Sequence, residues 1–210
     1  MIYILSEKKF DGALNLPVIK INFLDFKVDL SLFDALIFTS KNGVEAIDRV
    51  NKTWRYKEIY SIGSGTTKAI KDKGVEVAYT AKSSYGDNFA KEIQNKLYGK
   101  RVLFPRAKVV TSQLNKILQN AGINLSEIIA YETVCNSKDL SNPPKDSVII
   151  FSSPSTIKCF FKKFTWDESY KAVVIGEKTA SFMPKEIRYT LSKKQSIPEC
   201  IKLGYTLLYN

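Results

Sequence analysis

The chain has 210 residues, of which 44% are hydrophobic and 25% are charged. This composition is ordinary for a globular protein and excludes collagenous, coiled-coil and disordered chains. The 32 basic and 21 acidic residues leave a formal charge of +11, which favours anionic partners. The lysines are spread along the chain and form only doublets such as Lys162-Lys163. This distribution is more typical of lysines on solvated helix surfaces than of a nucleic-acid binding surface. A small polyanion remains possible as a ligand.

Short β-branched or aromatic runs alternate with stretches of helical period. In chain order, the predicted strands are Ile2–Leu5, Val18–Phe23, Ala35–Thr39, Glu58–Ile62, Val75–Tyr79, Arg101–Phe104, Ile128–Val134, Val148–Phe151, Ala172–Ile175 and Ile187–Leu191. The predicted helices are Gly43–Val50, Thr66–Lys73, Asp87–Leu97, Thr111–Gln119, Ser155–Phe164 and Glu199–Leu208. Most of the strands are continuously apolar, which is typical of parallel strands buried on both faces. The fold class is therefore α/β, with helices on both faces of parallel sheets.

The sequence contains an internal repeat. Phe38-Thr39-Ser40 and Phe151-Ser152-Ser153 stand 113 residues apart, as do Ile62-Gly63 and Ile175-Gly176. The same offset places Thr66 over Thr179. Each half therefore reads as a strand, a hydroxyl-bearing turn, a helix, a second strand, a glycine turn and a second helix.

The order of weaker similarities between other segments predicts how the two halves are connected. Two strands at the start of the chain match two strands just before residue 135. We therefore expect lobe A to comprise residues 1–20 and 136–210, with lobe B inserted as residues 21–135. Two crossovers, near 20–34 and 132–146, would form a hinge beside a cleft, and clefts between domains are favoured ligand sites.

Hydroxyl residues and glycines follow the predicted strands at their carboxyl ends, where open α/β sheets bind ligands. Each such turn, taken alone, is more often an ordinary helix cap than a binding element. Together, four turns could line the cleft with amides and hydroxyls that hold several carboxylates. The candidate binding residues in these turns are Thr39, Ser40, Gly63, Thr66, Ser152, Ser153, Ser155, Gly176 and Thr179. Ser153 is also the expected N-cap of a helix that begins with Pro154.

The sequence contains no histidine, which removes Ser-His-Asp and Cys-His catalysis, His-ligated metal sites and the usual general base. Tyr131, near the second crossover, is more often a core residue in such a strand, but it is one of few candidates for a general acid. Arg106 lies just past a strand end, either as a surface charge or as a bidentate partner for a carboxylate.

We expect neither a metal nor a cofactor. Gly63-Ser64-Gly65 suggests a dinucleotide turn, but Lys68 stands where the third glycine of that motif would be. The three cysteines, Cys135, Cys159 and Cys200, lack CxxC spacing, so we expect small buried hydrophobes in a reducing compartment. The first residues have the wrong order for a signal peptide, and the apolar runs are too short to span a membrane, so a cytoplasmic protein is predicted.

The collinear series of motifs resembles the uroporphyrinogen-III synthase family over nearly the whole chain. The series is Ile37-Phe38-Thr39-Ser40, Ile62-Gly63 with Thr66, Leu103-Phe104-Pro105-Arg106, Ile129-Ala130-Tyr131-Glu132-Thr133, Phe151-Ser152-Ser153-Pro154-Ser155 and Ile175-Gly176-Glu177-Lys178-Thr179-Ala180. The resemblance implies two similar parallel-sheet α/β lobes joined by a two-stranded linker, with one lobe discontinuous in sequence. Gly63-Ser64-Gly65-Thr66 departs from the family by being richer in glycine.

The resemblance also implies a cofactor-free lyase that closes the linear tetrapyrrole hydroxymethylbilane, loses water and inverts the last ring to give uroporphyrinogen III. The family's catalytic tyrosine falls on Tyr131, its cleft threonine on Thr179, and its hydroxyl turns on Thr39, Ser40, Ser152, Ser153 and Ser155. We expect a monomer that binds neither nucleic acid nor membrane. Two other functions stay open, namely a noncatalytic two-lobed binding protein for a small polyanion and, from the +11 charge, a nucleic-acid binder.

Overall fold

The computed structural model describes residues 1–82 and 85–209. Its contacts divide the chain into two compact units. Unit 1 comprises Met1–Lys20 and Thr133–Asn210, and unit 2 comprises Ile21–Glu132. The sequence predicted that lobe B ends at residue 135, whereas unit 2 ends at Glu132. That each unit is an independent domain stays a prediction.

Unit 1 is built on a five-stranded sheet whose paired strands run parallel. The order across the sheet is β11-β10-β9-β1-β2. Its strands are β1 (Ile2–Ile4), β2 (Leu14–Asn15), β9 (Val148–Phe151), β10 (Lys171–Val174) and β11 (Tyr189–Leu191). Its helices are α5 (Pro154–Lys163), α6 (Glu177–Ala180) and α7 (Ile197–Tyr209). Every residue of β9 is buried, as expected for a central strand covered on both faces.

Unit 2 contributes most of a six-stranded sheet with the order β3-β8-β7-β4-β5-β6. Its strands are β3 (Ile19–Phe23), β4 (Ala35–Phe38), β5 (Glu58–Ser61), β6 (Tyr79–Thr80), β7 (Arg101–Ala107) and β8 (Asn124–Cys135). Its helices are α1 (Lys41–Val50), α2 (Gly63–Lys71), α3 (Gly86–Ile93) and α4 (Leu114–Asn120). The division between the units falls inside β3 and β8, which are neighbours in this sheet. These two strands are the two-stranded linker.

The internal repeat is visible in the elements themselves. Shifting β4, α1 and β5 by 113 residues reproduces the bounds of β9, α5 and β10. The α/β fold class with parallel sheets is confirmed, and all six predicted helices are present within the described ranges.

The sequence did not predict strand β2 of unit 1, it implied helix α6 only as the second helix of the repeat without giving its bounds, and it misplaced one strand of unit 2. Strand β2 has two residues and helix α6 has four, too few for a periodic pattern to develop. The strand expected over Val75–Tyr79 is wrong in its bounds, because only Tyr79–Thr80 pairs with β5.

Helix α1 is held to unit 2 by a nearly buried carboxylate. Asp48 accepts hydrogen bonds from Trp54 Nε1 at 3.0 Å and Arg55 Nη2 at 2.9 Å, and it forms ion pairs with Lys52 and Lys73. Burial raises the pKa of Asp48, but these four hydrogen-bonding partners outweigh burial and hold the pKa well below its usual range. The carboxylate therefore remains charged and ties α1 to the segments that follow it.

The N-terminal turn of α1 lies against the backbone of β7. A Cβ placed on Gly43 would stand 2.8 Å from the carbonyl oxygen of Pro105, which is closer than real Cβ contacts. Gly43 lies within an ordinary helix, so its backbone conformation does not require glycine. Glycine is needed here because the backbone of β7 leaves no room for a side chain.

Two of the three cysteines differ from the expectation. Cys135, at the end of β8, and Cys159, within α5, form a disulfide with a Cα–Cα distance of 5.2 Å. The expectation of three free cysteines was wrong for this pair, because the contact between the end of β8 and α5 is not visible in cysteine spacing. Cys200 is free and buried, as expected. Within the described ranges, no helix is long and apolar enough to cross a membrane.

Replacing Gly43 with alanine should destabilise unit 2 by about 1–3 kcal/mol, because the new methyl group forces α1 away from β7. Gly65→Ala is the matched control, since a Cβ at Gly65 meets nothing within 4 Å. That variant should be neutral or more stable by about 0.5–1 kcal/mol, as is usual for Gly→Ala in a helix. Urea unfolding of both variants measures the difference, and equal stabilities would contradict the close packing of α1 on β7.

The disulfide should stabilise the chain by about 3 kcal/mol, because it closes a loop with a sequence separation of 24 residues. Thiol alkylation in denaturant, followed by mass spectrometry, should label Cys200 alone without a reductant and all three cysteines after reduction. Denaturant unfolding of Cys135→Ser/Cys159→Ser should show the loss of stability. Labelling of all three cysteines before reduction would contradict the disulfide.

Candidate functional site

The turn between β4 and α1 carries the first candidate group of unit 2. Ser40 is the N-cap of α1, and its Oγ accepts a hydrogen bond from the Asn42 amide at 3.1 Å. Thr39 and Ser40 are half-buried at the carboxyl end of β4. A serine forms this cap because its short side chain satisfies an amide that the helix leaves unpaired.

Tyr131 lies beside this turn. It is 6% exposed and pairs in register with Ala107 of β7, at an irregularity that follows Arg106. Its hydroxyl is hydrogen-bonded to the side chain of Ser40. Burial raises the pKa of the Tyr131 phenol, while the Ser40 hydrogen bond acts in the opposite direction and is the weaker effect. The phenol is therefore protonated at neutral pH, a state in which it can donate a proton.

The glycine turn after β5 is the second candidate group of unit 2. Gly63 has a φ of +61°, a left-handed conformation that favours glycine. Thr66, in the first turn of α2, is buried. Its neighbour Thr67 links the turn to the sheet, because its Oγ1 lies 2.5 Å from Ser61 Oγ and 2.9 Å from Thr80 Oγ1. Sequence reasoning named Thr66 and missed this role of Thr67.

Arg106 is engaged with a carboxylate of its own chain. Its Nε donates a hydrogen bond to Glu127, and its Nη1 donates to the carbonyl of Ala107 at 2.9 Å. The other carboxylate oxygen of Glu127 accepts from Asn115 at 2.9 Å. The side chains of Arg106 and Glu127 are each 19% exposed, so the pair is well shielded from solvent. Capture of a substrate carboxylate by Arg106 stays a prediction and would have to compete with Glu127.

In unit 1, the turn between β9 and α5 repeats the Ser40 arrangement. Ser153 is the N-cap of α5, and Pro154 occupies the first turn, as the sequence predicted. Ser153 Oγ accepts from the Thr156 amide while Thr156 Oγ1 accepts from the Ser153 amide, which completes a capping box. Ser152 and Ser155 flank the cap and are half-buried.

The glycine turn after β10 is the second candidate group of unit 1. Gly176 is buried and extended, with a φ of 179°, and Thr179 in α6 is 5% exposed. The side chain of Gln195 lies against Gly176, since a Cβ there would stand 2.8 Å from Gln195 Nε2. Sequence reasoning missed Gln195. Its position in the sequence could have indicated it, because Gln195 follows the strand next to β10. The next residue, Ser196, accepts a hydrogen bond from the Glu199 amide at 3.4 Å through its side chain.

The structure therefore brings the predicted residues together as two sets, one in each unit. In unit 2, β4 and β5 are paired in parallel, so the Ser40 and Gly63 turns share one edge of the sheet. In unit 1, β9 and β10 are paired in parallel, so the Ser153 and Gly176 turns share the corresponding edge. Among the described residues, there is no group of three or more acidic, cysteine or histidine side chains that could hold a metal.

Both sets consist mainly of neutral hydrogen-bonding groups. Helix-capping hydroxyls and backbone amides at such edges bind anions without placing a buried cation beside them. The buried phenol of Tyr131 adds a proton donor to the set of unit 2. This chemistry suits a ligand with several carboxylates and a reaction that needs one weak acid.

Comparison with known families gives a match over most of the chain. The family model described as uroporphyrinogen-III synthase HemD matches residues 6–197. A porphyrin biosynthesis protein HemD from Ruminiclostridium josui is 29% identical over 184 residues, covering 79% of this chain and 36% of that protein. A uroporphyrinogen-III synthase from Synechococcus elongatus is 27% identical over 145 residues, covering 61% of this chain and 53% of that protein. The chain thus matches between a third and just over half of the length of these curated relatives.

Solved structures match the chain more completely. The crystal structure of uroporphyrinogen-III synthetase from Helicobacter pylori matches with a TM-score of 0.82 and 28% identity, covering 98% of both chains. A mutant uroporphyrinogen III synthase from Thermus thermophilus matches with a TM-score of 0.60 and 10% identity, covering 99% of this chain and 98% of that one. The second likeness shows a shared fold alone.

Proposed function

The chain belongs to the uroporphyrinogen-III synthase family, and from this premise we propose that it converts hydroxymethylbilane into uroporphyrinogen III in tetrapyrrole biosynthesis. The reaction closes the ring with loss of water and inversion of ring D. The observation that carries the proposal is the family match over residues 6–197. The 98% mutual coverage with the Helicobacter pylori synthetase supports it.

The candidate groups fit this substrate. Hydroxymethylbilane carries an acetate and a propionate on every pyrrole ring, so it presents carboxylates along its whole length. Hydroxyls and backbone amides in the turns of each unit can donate hydrogen bonds to carboxylates. The +11 charge of the chain attracts a polyanion at long range. The site residues proposed for binding are the turn residues named from the sequence, with Arg106 limited by its pairing with Glu127.

Tyr131 is the proposed general acid. The C–O bond of the hydroxymethyl group breaks, and the electrons of the pyrrole ring that carries this group stabilise the methylene carbon that is left. The Tyr131 proton moves to the departing oxygen to give water. The Ser40 side chain is hydrogen-bonded to Tyr131 and can stabilise the phenolate that remains. Because departure from an electron-rich pyrrole is intrinsically easy, most of the catalysis should come from folding the substrate.

A noncatalytic binding protein for a small polyanion is the second function that the same turns could serve. The family match disfavours it. The proposed reaction uses no cofactor. A monomeric state, a cytoplasmic location and the lack of nucleic-acid or membrane binding stay predictions from the sequence.

A coupled assay tests the proposed activity. Porphobilinogen and a hydroxymethylbilane synthase generate the substrate, which closes spontaneously to the uninverted type I isomer. Addition of this protein should shift the product to the type III isomer, as measured by chromatography of the oxidised porphyrins. Production of type I alone, with substrate binding intact, would instead support the binding protein.

Tyr131→Phe should lower kcat by about ten- to a hundredfold without abolishing activity, at the low end of acid–base contributions. Because the phenol pKa is raised, wild-type kcat should show no tyrosine titration between about pH 7 and pH 9. Tyr56→Phe is the control, since Tyr56 is 90% exposed. Complete loss of turnover in a folded Tyr131→Phe variant would contradict a mechanism dominated by positioning.

A further inference from the structure

The pairing of β7 with β8 changes register just before Tyr131. Arg106 of β7 pairs with Ile129 of β8. The next residue of β7, Ala107, pairs with Tyr131, so Ala130 is an extra residue on β8. An extra residue on one strand bends that strand and re-aims the side chains beside it, as in a β-bulge.

This extra residue sets the direction of the Tyr131 side chain. Ala130 and Tyr131 are adjacent in sequence, yet both belong to one buried cluster with Ala46 of α1. Adjacent side chains of a regular strand would point to opposite faces. The Tyr131 hydroxyl is hydrogen-bonded to Ser40, which is the N-cap of α1. The place of the phenol beside α1 therefore depends on the register shift.

Arg106 holds both strands at the register shift. Its Nη1 donates hydrogen bonds to the carbonyl oxygens of the next two residues, Ala107 at 2.9 Å and Lys108 at 3.4 Å. Its Nε donates to the carboxylate of Glu127 on β8. That carboxylate also accepts a hydrogen bond from Asn115 of α4 at 2.9 Å, so it is fixed in turn. A planar guanidinium carries several donors in a rigid fork and can hold these acceptors at once.

The backbone that Arg106 holds is the backbone that pairs with Tyr131. Ala107 is the register partner of Tyr131, and the Lys108 amide donates a hydrogen bond to the Tyr131 carbonyl at 2.8 Å. Because Arg106 and Glu127 are well shielded from solvent, water competes little for their hydrogen bonds. The side chain of Arg106 is therefore placed to keep the Tyr131 backbone in one position.

We propose that Arg106 is a positioning residue, which fixes the register shift through Glu127 and two backbone carbonyls and thereby directs the Tyr131 hydroxyl toward the departing oxygen of the substrate. The inference rests on the proposed function, because it takes Tyr131 as the general acid. Arg106 then acts on the reaction through Tyr131 and needs no contact with the substrate. Direct capture of a substrate carboxylate is the alternative role, and the two roles predict different kinetics.

Steady-state kinetics of Arg106→Gln test the proposal. We expect kcat to fall about five- to fiftyfold, because a small misplacement of a reacting group is costly. KM should change by less than about twofold, since no substrate contact is lost. The fall in kcat should not exceed that of Tyr131→Phe, because Arg106 acts only through the phenol. A raised KM with an unchanged kcat would overturn the positioning role.

Arg106→Lys separates the geometry of the side chain from its charge. An ammonium keeps the charge but lacks the fork, so positioning predicts that kcat stays low. Near-normal kcat and KM in this variant would instead indicate capture of a carboxylate by charge. Arg101→Gln is the matched control, because Arg101 begins the same strand and forms an ion pair with Asp34 at 3.0 Å. It should leave both constants unchanged.

A double-mutant cycle tests whether Arg106 acts through Tyr131. Added to Tyr131→Phe, Arg106→Gln should lower kcat no further. A second fall of the same factor would overturn the link.

A charge-neutral variant guards against a folding defect, since Arg106→Gln leaves the Glu127 carboxylate without its cation. Arg106→Gln/Glu127→Gln removes both charges and should fold, as urea unfolding can show. Its kcat should be as low as that of Arg106→Gln. Recovery of the wild-type kcat would mean that the unpaired carboxylate caused the loss, and it would overturn the proposal.

The wild-type protein separates this inference from the proposed function. If it forms the type III isomer while Arg106→Gln keeps the wild-type kcat, the role of Arg106 is wrong and the proposed function stands. If the wild type yields type I alone, both the function and the inference that rests on it are wrong.

Discussion

The parallel pairing of two neighbouring strands in each sheet is the constraint on which the candidate sites depend. Strand β4 pairs with β5, and β9 pairs with β10, in matching registers. Because paired parallel strands end at one edge, each pair brings a serine cap and a glycine turn side by side. Loss of this register would separate Ser40 from the Gly63 turn and Ser153 from the Gly176 turn, although each helix could still form.

The sites favour neutral donors over buried charges, which is a physical solution to binding a polycarboxylate. Arg106, the cation that the sequence placed in the site, is paired with Glu127. Hydroxyls and amides hold carboxylates through hydrogen bonds and release them readily, whereas a desolvated ion pair carries a large desolvation penalty. Exposed lysines such as Lys193 can attract the ligand without being buried. Such binding suits an enzyme that must fold a flexible chain and then release its product.

The sequence predicted much of this fold because its signals are local. Continuous apolar runs predicted β4 and β9, and the 113-residue offset related the two halves from the sequence alone. The N-cap at Ser153 was also predictable, since it depends on neighbouring residues. The missed features are contacts between distant residues. The Cys135–Cys159 disulfide, the Arg106–Glu127 pair and the Gln195 contact each join separate elements, and single-residue patterns carry no signal for them.

Hydrogen exchange with a bound tetrapyrrole tests most directly whether the strand-end turns hold carboxylates. Uroporphyrin III, the oxidised form of the proposed product, is a suitable probe because it keeps an acetate and a propionate on each ring. Mass spectrometry should show slower amide exchange in peptides covering residues 39–44, 63–67, 152–156 and 176–180. Segments at the opposite edges, such as residues 52–57 and 167–171, should be unchanged. Unchanged exchange in the four turns under saturating porphyrin, or protection confined to the opposite edges, would contradict the account.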